Sequence, residues 1–243
     1  MESGDGKMKE LIMSNNDVLT MLDGLLQEQR SFDWDGFYAD RNKKVPFFVD
    51  LPDENLVKYI EKGILPGGKA LELGCGPGRN AIYLAEKGFL VDAVDSSEEG
   101  LNWAAERAKE KGVAINFRRE DLFDMDYKEQ DYDFVYDSGC FHHIAPHRRM
   151  DYIELVEKAL KPGGYFALST FIEGGPLGGA DISDWDVYRL KSMRGGLGYS
   201  EKKLKTIFQT FAPVEIRFME DRPNSKSVFG LAGLRVALFK KKR

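Results

Sequence analysis

This sequence predicts an α/β fold, a parallel sheet covered by helices on both faces. Three observations lead there. From Lys69 to Phe171 short apolar runs alternate with helix-periodic stretches. Between the first run and the first helix lies a tight glycine-rich turn, Gly74-Cys75-Gly76-Pro77-Gly78. The second run ends on Asp95, the third is followed by Asp121 and the fourth ends on Asp137. Strands that alternate with helices join by right-handed crossovers into a parallel sheet. Ligands of such sheets bind beyond the carboxyl ends of the strands, where these acids lie.

The elements follow in order. From Asp17, the apolar positions Val18, Leu19, Met21, Leu22, Leu25 and Leu26 recur at helical spacing and predict an amphipathic helix ending near Arg30. An aromatic stretch follows, from Phe32 through Trp34, Phe37 and Tyr38 to Phe47 and Phe48, suited to covering a sheet edge or lining a pocket mouth. A second helix is expected from Pro52 to Lys62, with Asp53 and Glu54 in its N-terminal turn. The apolar run of Ala70, Leu71 and Leu73 reads as the first strand, and Ile82, Leu84 and Ala85 mark the helix after the glycine turn. Phe89 to Asp95 is the second strand, and Ser96-x-x-Glu99 reads as a capping box for the helix through Leu101, Trp103 and Ala108. Ala114 to Phe117 and Tyr132 to Tyr136 are the third and fourth strands. A helix from about Arg148 to Leu160 is expected to stop at Pro162-Gly163-Gly164, with a fifth strand from Tyr165 to Phe171. Residues 172–199 hold seven glycines, and so long a connection suggests a lid. Ser200 is placed to cap a helix through Leu204, Ile207 and Phe208, and Val214–Met219 and Leu234–Phe239 complete the chain as two strands.

Composition narrows the function classes. The chain has 243 residues, 42% hydrophobic and 31% charged, ordinary for a globular protein. A net charge of −5 gives no electrostatic footprint for nucleic acid. No run approaches the roughly 18 apolar residues of a membrane span. The first ten residues, MESGDGKMKE, show no apolar signal-peptide core, and the two cysteines, Cys75 and Cys140, make no disulfide framework. A cytoplasmic setting is therefore expected, with a small-molecule partner and neither nucleic acid nor membrane. Oligomeric state is not legible.

The glycine turn carries the chemistry. Glycines reach backbone angles other residues avoid and leave room for a ligand to lie on the loop. The N–H groups at the helix start attract a carboxylate or phosphate. A dinucleotide site reads G-x-G-x-x-G. This chain reads Glu72-x-Gly74-x-Gly76-x-Gly78 instead. That pattern resembles motif I of the class I S-adenosylmethionine-dependent methyltransferases. Asp95 is similar to the family's ribose-binding acid, since a carboxylate accepts from both hydroxyls of a diol. Asp121 is similar to its adenine-side acid, with Leu122 or Phe123 placed to pack on the base. Asp133-x-Val135 to Asp137 looks like its fourth strand and Leu160-Lys161-Pro162-Gly163-Gly164 like its turn into the fifth.

The resemblance implies a Rossmann-like, doubly wound, seven-stranded and mostly parallel sheet with an antiparallel last strand. It implies S-adenosyl-L-methionine as cofactor and S-adenosyl-L-homocysteine as product. The cofactor would be held by Glu72, Gly74, Cys75, Gly76, Gly78, Asn80, Asp95, Ser96, Asp121, Leu122, Asp137 and Ser138. Glu72 would hold the methionine amino group, and Asp137 and Ser138 would lie near the sulfonium. Residues 1–64 are expected to form a helical extension covering the substrate side. Residues 65–243 would form the cofactor-binding domain, with 172–199 as its lid-like insertion.

Trp34 and Tyr38, with Asp137-Ser138-Gly139-Cys140-Phe141-His142-His143, look similar to small-molecule methyltransferases of the thiol, thiopurine and tellurite type. Trp34 and Tyr38 are accordingly candidate substrate residues, and His142 or His143 a candidate base, since histidine titrates near neutral pH. Cys140, His142, His143 and His147 invite a metal reading, but Pro146 interrupts the pairing of His143 with His147, and no metal is expected. Two rivals are a nicotinamide-dependent oxidoreductase, which the glycine spacing disfavours, and a non-catalytic module that binds the same cofactor.

Overall fold

The computed structural model describes residues 11–27, 32–65 and 67–242. Its centre is a seven-stranded sheet in the order β3-β2-β1-β4-β5-β7-β6. The strands are β1 (Lys69–Leu73), β2 (Leu90–Asp95), β3 (Asn116–Arg119), β4 (Tyr132–Ser138), β5 (Leu160–Phe171), β6 (Phe211–Phe218) and β7 (Leu234–Lys241). β1 to β5 are parallel neighbours, and β7 runs antiparallel to both β5 and β6. Strand order reverses between β1 and β4, which opens the crevice that positions the site.

β1 is buried almost throughout because helices cover both faces. Leu71, Leu73, Val94, Val135 and Phe166 pack on one face beneath Tyr152, Val156, Leu204 and Phe208. Ala70, Ala93, Phe134, Tyr136 and Leu238 pack on the other with Leu56, Tyr59 and Leu84. The helices are α1 (Asn15–Gln27), α2 (Trp34–Ala39), α3 (Glu54–Glu61), α4 (Arg79–Glu86), α5 (Glu98–Lys111), α6 (Arg149–Ala159), α7 (Asp184–Arg189) and α8 (Glu201–Ile207). The expected end of the first helix near Arg30 falls outside the described residues.

Several sequence expectations are corrected. Ser97, not Ser96, caps α5, its hydroxyl accepting from Gly100 N at 3.0 Å. The third strand starts at Asn116 rather than Ala114. Pro162-Gly163-Gly164 does not precede β5 but lies inside it. Leu160 already pairs with Tyr132, and the ladder resumes at Tyr165 opposite Phe134, so residues 161–164 form a bulge opposite Asp133. Asp53 sits at the N-cap position of α3 but makes no capping bond.

The glycine-rich insertion is folded. It contains α7, capped by Ser183, and a bridge between Ala180 and Leu197. Its Val187, Leu197 and Tyr199 are buried in the core. α1 is tied to the loop before α6 and to the insertion. His147 Nε2 lies 2.7 Å from Asp23 Oδ1 and Nδ1 2.8 Å from Tyr188 Oη, while Arg148 also pairs with Asp23.

Candidate functional site

The carboxyl ends of β1 to β5 surround a cavity of about 410 Å³. Its floor is the turn between β1 and α4. Gly74, Gly76 and Gly78 all have positive φ, at 65°, 48° and 75°. A Cβ at Gly74 would sit 2.6 Å from Cys140 Cβ, and one at Gly76 would sit 2.7 Å from Tyr38 Oη. Neighbouring side chains therefore close over this turn where only glycine leaves space. A Cβ at Gly78 would meet Ala104 Cβ at 2.8 Å. Gly78 serves helix packing and does not line the cavity, unlike the expectation for it.

Asp95 ends β2 over this turn and is buried. Its Oδ2 accepts from Gly76 N at 2.7 Å and its Oδ1 from Ser97 N at 2.8 Å. Burial raises its carboxyl above the usual range despite these bonds. Each oxygen keeps a second lone pair. Ser96, Asp121 and Leu122 line the same end of the cavity, and Asp121 Oδ1 accepts from Phe123 N at 2.9 Å. Cys75 and Asn80 also line it.

Glu72, at the end of β1, is 1% exposed and its Oε2 has no partner among the described residues. Burial pushes its carboxyl up to about 8, against the pull of Arg79. An unpaired buried oxygen costs about 1–3 kcal/mol. Because Glu72 faces the cavity, a ligand cation can remove that cost. The site thus fits the implied cofactor: an orphan acceptor for an ammonium, a carboxylate for a diol, and a bare backbone between them.

Asp137 departs from its expected place. Its carboxylate is fully buried and turned from the cavity. Oδ1 accepts from Gly139, Cys140 and Phe141 N at 3.1, 2.8 and 3.2 Å, and Oδ2 from Tyr152 Oη at 2.6 Å. Asp137 shapes the loop that carries Cys140 to His143. Burial raises its carboxyl to about 6.

His142 and His143 both line the cavity, but neither titrates near neutral pH. Burial holds His143 down to about 4 and His142 well below its ordinary value, with His143 adding to the latter. His142 stacks on Phe171 with centroids 3.8 Å apart, and His143 meets Trp34 edge-on at 5.0 Å. Trp34 and Tyr38 both line the cavity, Tyr38 against the glycine turn.

Sequence reading missed a buried network beside Glu72. Arg79 Nη1 lies 2.7 Å from Asp53 Oδ1, and its Nη2 donates to Ser138 Oγ at 2.9 Å. Asp53 Oδ2 accepts from Tyr136 Oη and Ser138 Oγ, both at 2.6 Å, and Asn80 Nδ2 donates to it at 3.2 Å. Arg79 also lies over the Phe229 ring at 4.4 Å. Arg79 directly follows the last glycine of the turn, which was its available signal. Asp53 looked like an ordinary helix-start acid.

Comparisons with known proteins agree with this geometry. Residues 70–164 match a family described as a methyltransferase domain. An uncharacterized methyltransferase of Synechocystis sp. is 36% identical over 121 residues, 50% of this chain and 52% of that protein. The chain spans about half the length of the curated relatives it matches. A chain solved in work on conversion of a disulfide bond into a thioacetal group during echinomycin biosynthesis superposes with TM-score 0.67 at 21% identity, covering 86% of this chain and 90% of that one. The 1,6-didemethyltoxoflavin-N1-methyltransferase of Burkholderia thailandensis, with bound 1,6-didemethyltoxoflavin and S-adenosylhomocysteine, superposes with TM-score 0.60 at 20% identity, covering 100% of this chain and 99% of that one. At such identities the two structures speak to fold alone. The stretch that matches a methyltransferase domain, residues 70–164, thus contains the glycine turn, Asp95 and Asp121 of the cavity.

Proposed function

We propose that this protein transfers a methyl group from S-adenosylmethionine to a small-molecule acceptor, a thiol or another soft nucleophile, releasing S-adenosylhomocysteine. One observation carries the reading: Glu72, whose buried Oε2 has no partner among the described residues, lines the cavity near the end of β1 together with Gly76. In this reading Glu72 holds the cofactor's ammonium. Asp95 accepts from the ribose hydroxyls through its free lone pairs, with Ser96 alongside. Asp121 accepts from the adenine amino group and Leu122 packs on the base. Gly74, Cys75 and Gly76 let the cofactor lie against the main chain, and Asn80 holds the start of α4 to Asp53. Ser138 lies beside the reacting sulfur, while Asp137 acts through the loop it shapes.

The bound cofactor supplies a methyl group on a positively charged sulfur, both electrophile and leaving group. The chain's contribution is to align the acceptor and exclude water, and alignment alone can supply roughly 7–11 kcal/mol. Trp34 and Tyr38 bring the N-terminal segment over the site, so the described part of residues 1–64 acts as its cover and 172–199 as a further wall. His142 and His143, held neutral, act as wall and hydrogen-bond partners for the acceptor. A structure of the same fold holds 1,6-didemethyltoxoflavin beside S-adenosylhomocysteine, and we place an acceptor of comparable size here. Among the described residues no helix is long and apolar enough to cross a membrane. Both cysteines are free thiols, which suits the reducing cytoplasm where we place the reaction.

Incubation with methyl-labelled S-adenosylmethionine and a panel of small thiols, phenols and amines tests the proposal. Label in an acceptor with matching S-adenosylhomocysteine is expected. Tight cofactor binding with no transfer to any acceptor class would favour the non-catalytic module instead.

A further inference from the structure

The cover helix α2 lies along α5, tied to it at several levels. Arg41, just past α2, pairs with Glu106 of α5. Arg107 Nη2 donates to Phe48 O at 2.6 Å, and the Phe48 ring meets Trp103 edge-on at 5.1 Å. Tyr38 lies against Gly100, where a Cβ would sit 3.2 Å from its ring. The remaining tie is polar and falls at the start of α5, where Asp35 reaches across from α2.

The first amides of a helix have no acceptor within it. In α5, Ser97 Oγ accepts from Gly100 N at 3.0 Å, and Asp35 Oδ1 accepts from Glu99 N at 3.2 Å. The same Asp35 oxygen takes the Ser97 hydroxyl at 2.7 Å. A carboxylate of the cover thus completes a cap that Ser97 begins, at the end of the helix that favours an anion. Asp35 does not line the cavity, and its side chain is 46% exposed. Its other oxygen lies 4.0 Å from exposed Arg119, a pair of little worth in water.

Ser97 joins this cap to the cofactor floor. Its N donates to Asp95 Oδ1 at 2.8 Å, and Asp95 Oδ2 accepts from Gly76 N at 2.7 Å. Three residues after Asp35, on the same face of α2, Tyr38 returns to Gly76, with its Oη 2.7 Å from where a Cβ there would sit. Gly76, Asp95, Ser97, Asp35 and Tyr38 therefore form a closed ring of contacts. Trp34 stacks on Tyr38 at 6.1 Å and meets His143 edge-on at 5.0 Å, so the ring's cover side also sets the Trp34 wall.

We infer that Asp35 is a positioning residue that couples the cofactor site to the cover, an inference resting on the methyl-transfer reading above. By docking α2 on the first turn of α5, it holds Tyr38 and Trp34 over the bound cofactor while touching neither cofactor nor acceptor. A ribose on Asp95 steadies the strand end that binds Ser97 N, and with it the platform for α2. Such coupling is reciprocal: the affinity that docking adds for the cofactor, the cofactor adds to docking. Release of the cofactor from the glycine turn then requires α2 to lift.

The test compares the full chain with Asp35→Ala and Asp35→Asn, each checked first by thermal melting. Asp35 is half-exposed, so all three should fold. In the wild type, S-adenosylhomocysteine should slow hydrogen exchange both in the glycine turn and in residues 34–39. In Asp35→Ala it should slow exchange in the turn but not in 34–39. Labelled S-adenosylhomocysteine chased with unlabelled should leave this variant at least about threefold faster, for the loss of the docking bonds. Asp35→Asn keeps an oxygen that accepts both bonds and should restore both readouts toward wild type. Wild-type release from Asp35→Ala, or slowed exchange of its residues 34–39, would overturn the inference. So would an Asn variant as defective as the Ala one, since charge and not docking would then be at work. If S-adenosylhomocysteine slows exchange in the glycine turn of none of the three, the methyl-transfer reading fails and this inference with it.

Discussion

Glu72 should make cofactor binding depend on pH in a specific way. Its carboxyl, pushed up to about 8 by burial, is mostly protonated at neutral pH in the ligand-free protein. An ammonium pairs with the carboxylate, so binding must expel the proton. Well below pH 8 the observed association constant for S-adenosylhomocysteine should then fall about tenfold per pH unit, or about 1.4 kcal/mol. At pH 7 binding should release roughly nine-tenths of a proton, measurable by calorimetry in buffers of different ionisation enthalpy. Glu72→Gln should abolish the slope. At pH 8 it should weaken binding by tenfold or more, the worth of about 1.5–3 kcal/mol for a charge-assisted bond. At pH 6 it should change affinity far less, because the wild-type carboxyl is then also neutral. The ligand-free fold should show the opposite linkage. A raised carboxyl pKa means the folded chain keeps a proton that the unfolded chain loses, so this group lowers stability as pH rises from its ordinary 4.5 to about 8. Affinity that stays flat from pH 6 to 8, with no proton released, would refute the role assigned to Glu72.

Asp95→Ala should weaken S-adenosylhomocysteine binding at least tenfold, since one or two charge-assisted bonds of about 1.5–3 kcal/mol are lost; an unchanged dissociation constant by calorimetry would remove Asp95 from the ribose site. Gly76→Val should abolish binding with a near-native circular dichroism spectrum, because its Cβ would fall 2.7 Å from Tyr38 Oη on the face where the ligand lies. Asp53→Ala should cost about 3–5 kcal/mol in chemical denaturation by leaving Arg79 buried without its counter-charge. Trp34→Ala should lower acceptor affinity or turnover while cofactor affinity stays within a few-fold. As Trp34 is only half-buried, its stability loss should be under the roughly 3–5 kcal/mol of a fully buried tryptophan; normal turnover of the true acceptor would refute its role.

The parts of this protein legible in its sequence are those built by neighbours along the chain. A strand, a glycine turn and a helix are set by local periodicity and by backbone angles that glycine alone adopts easily, so Glu72 to Asn80 announced the turn that floors the cavity. Asp95 and Asp121 were readable because strand ends in a parallel sheet all point to one rim, whatever the remaining packing. Tertiary structure decided what depends on distant partners. Asp53 looked like a helix-start acid, yet its carboxylate meets Asn80 and Tyr136, 27 and 83 residues away. Asp137 looked like a cavity residue, yet three loop N–H groups and Tyr152 turn it inward. The Pro162-Gly163-Gly164 stretch reads as a stop, but pairing with β4 draws it into β5 as a bulge. The histidines read as titrating groups, and only their enclosure by Phe171, Trp34 and the insertion removed them from that range. Burial and partner charge act through space, so one residue type carries opposite roles until the chain has closed around it.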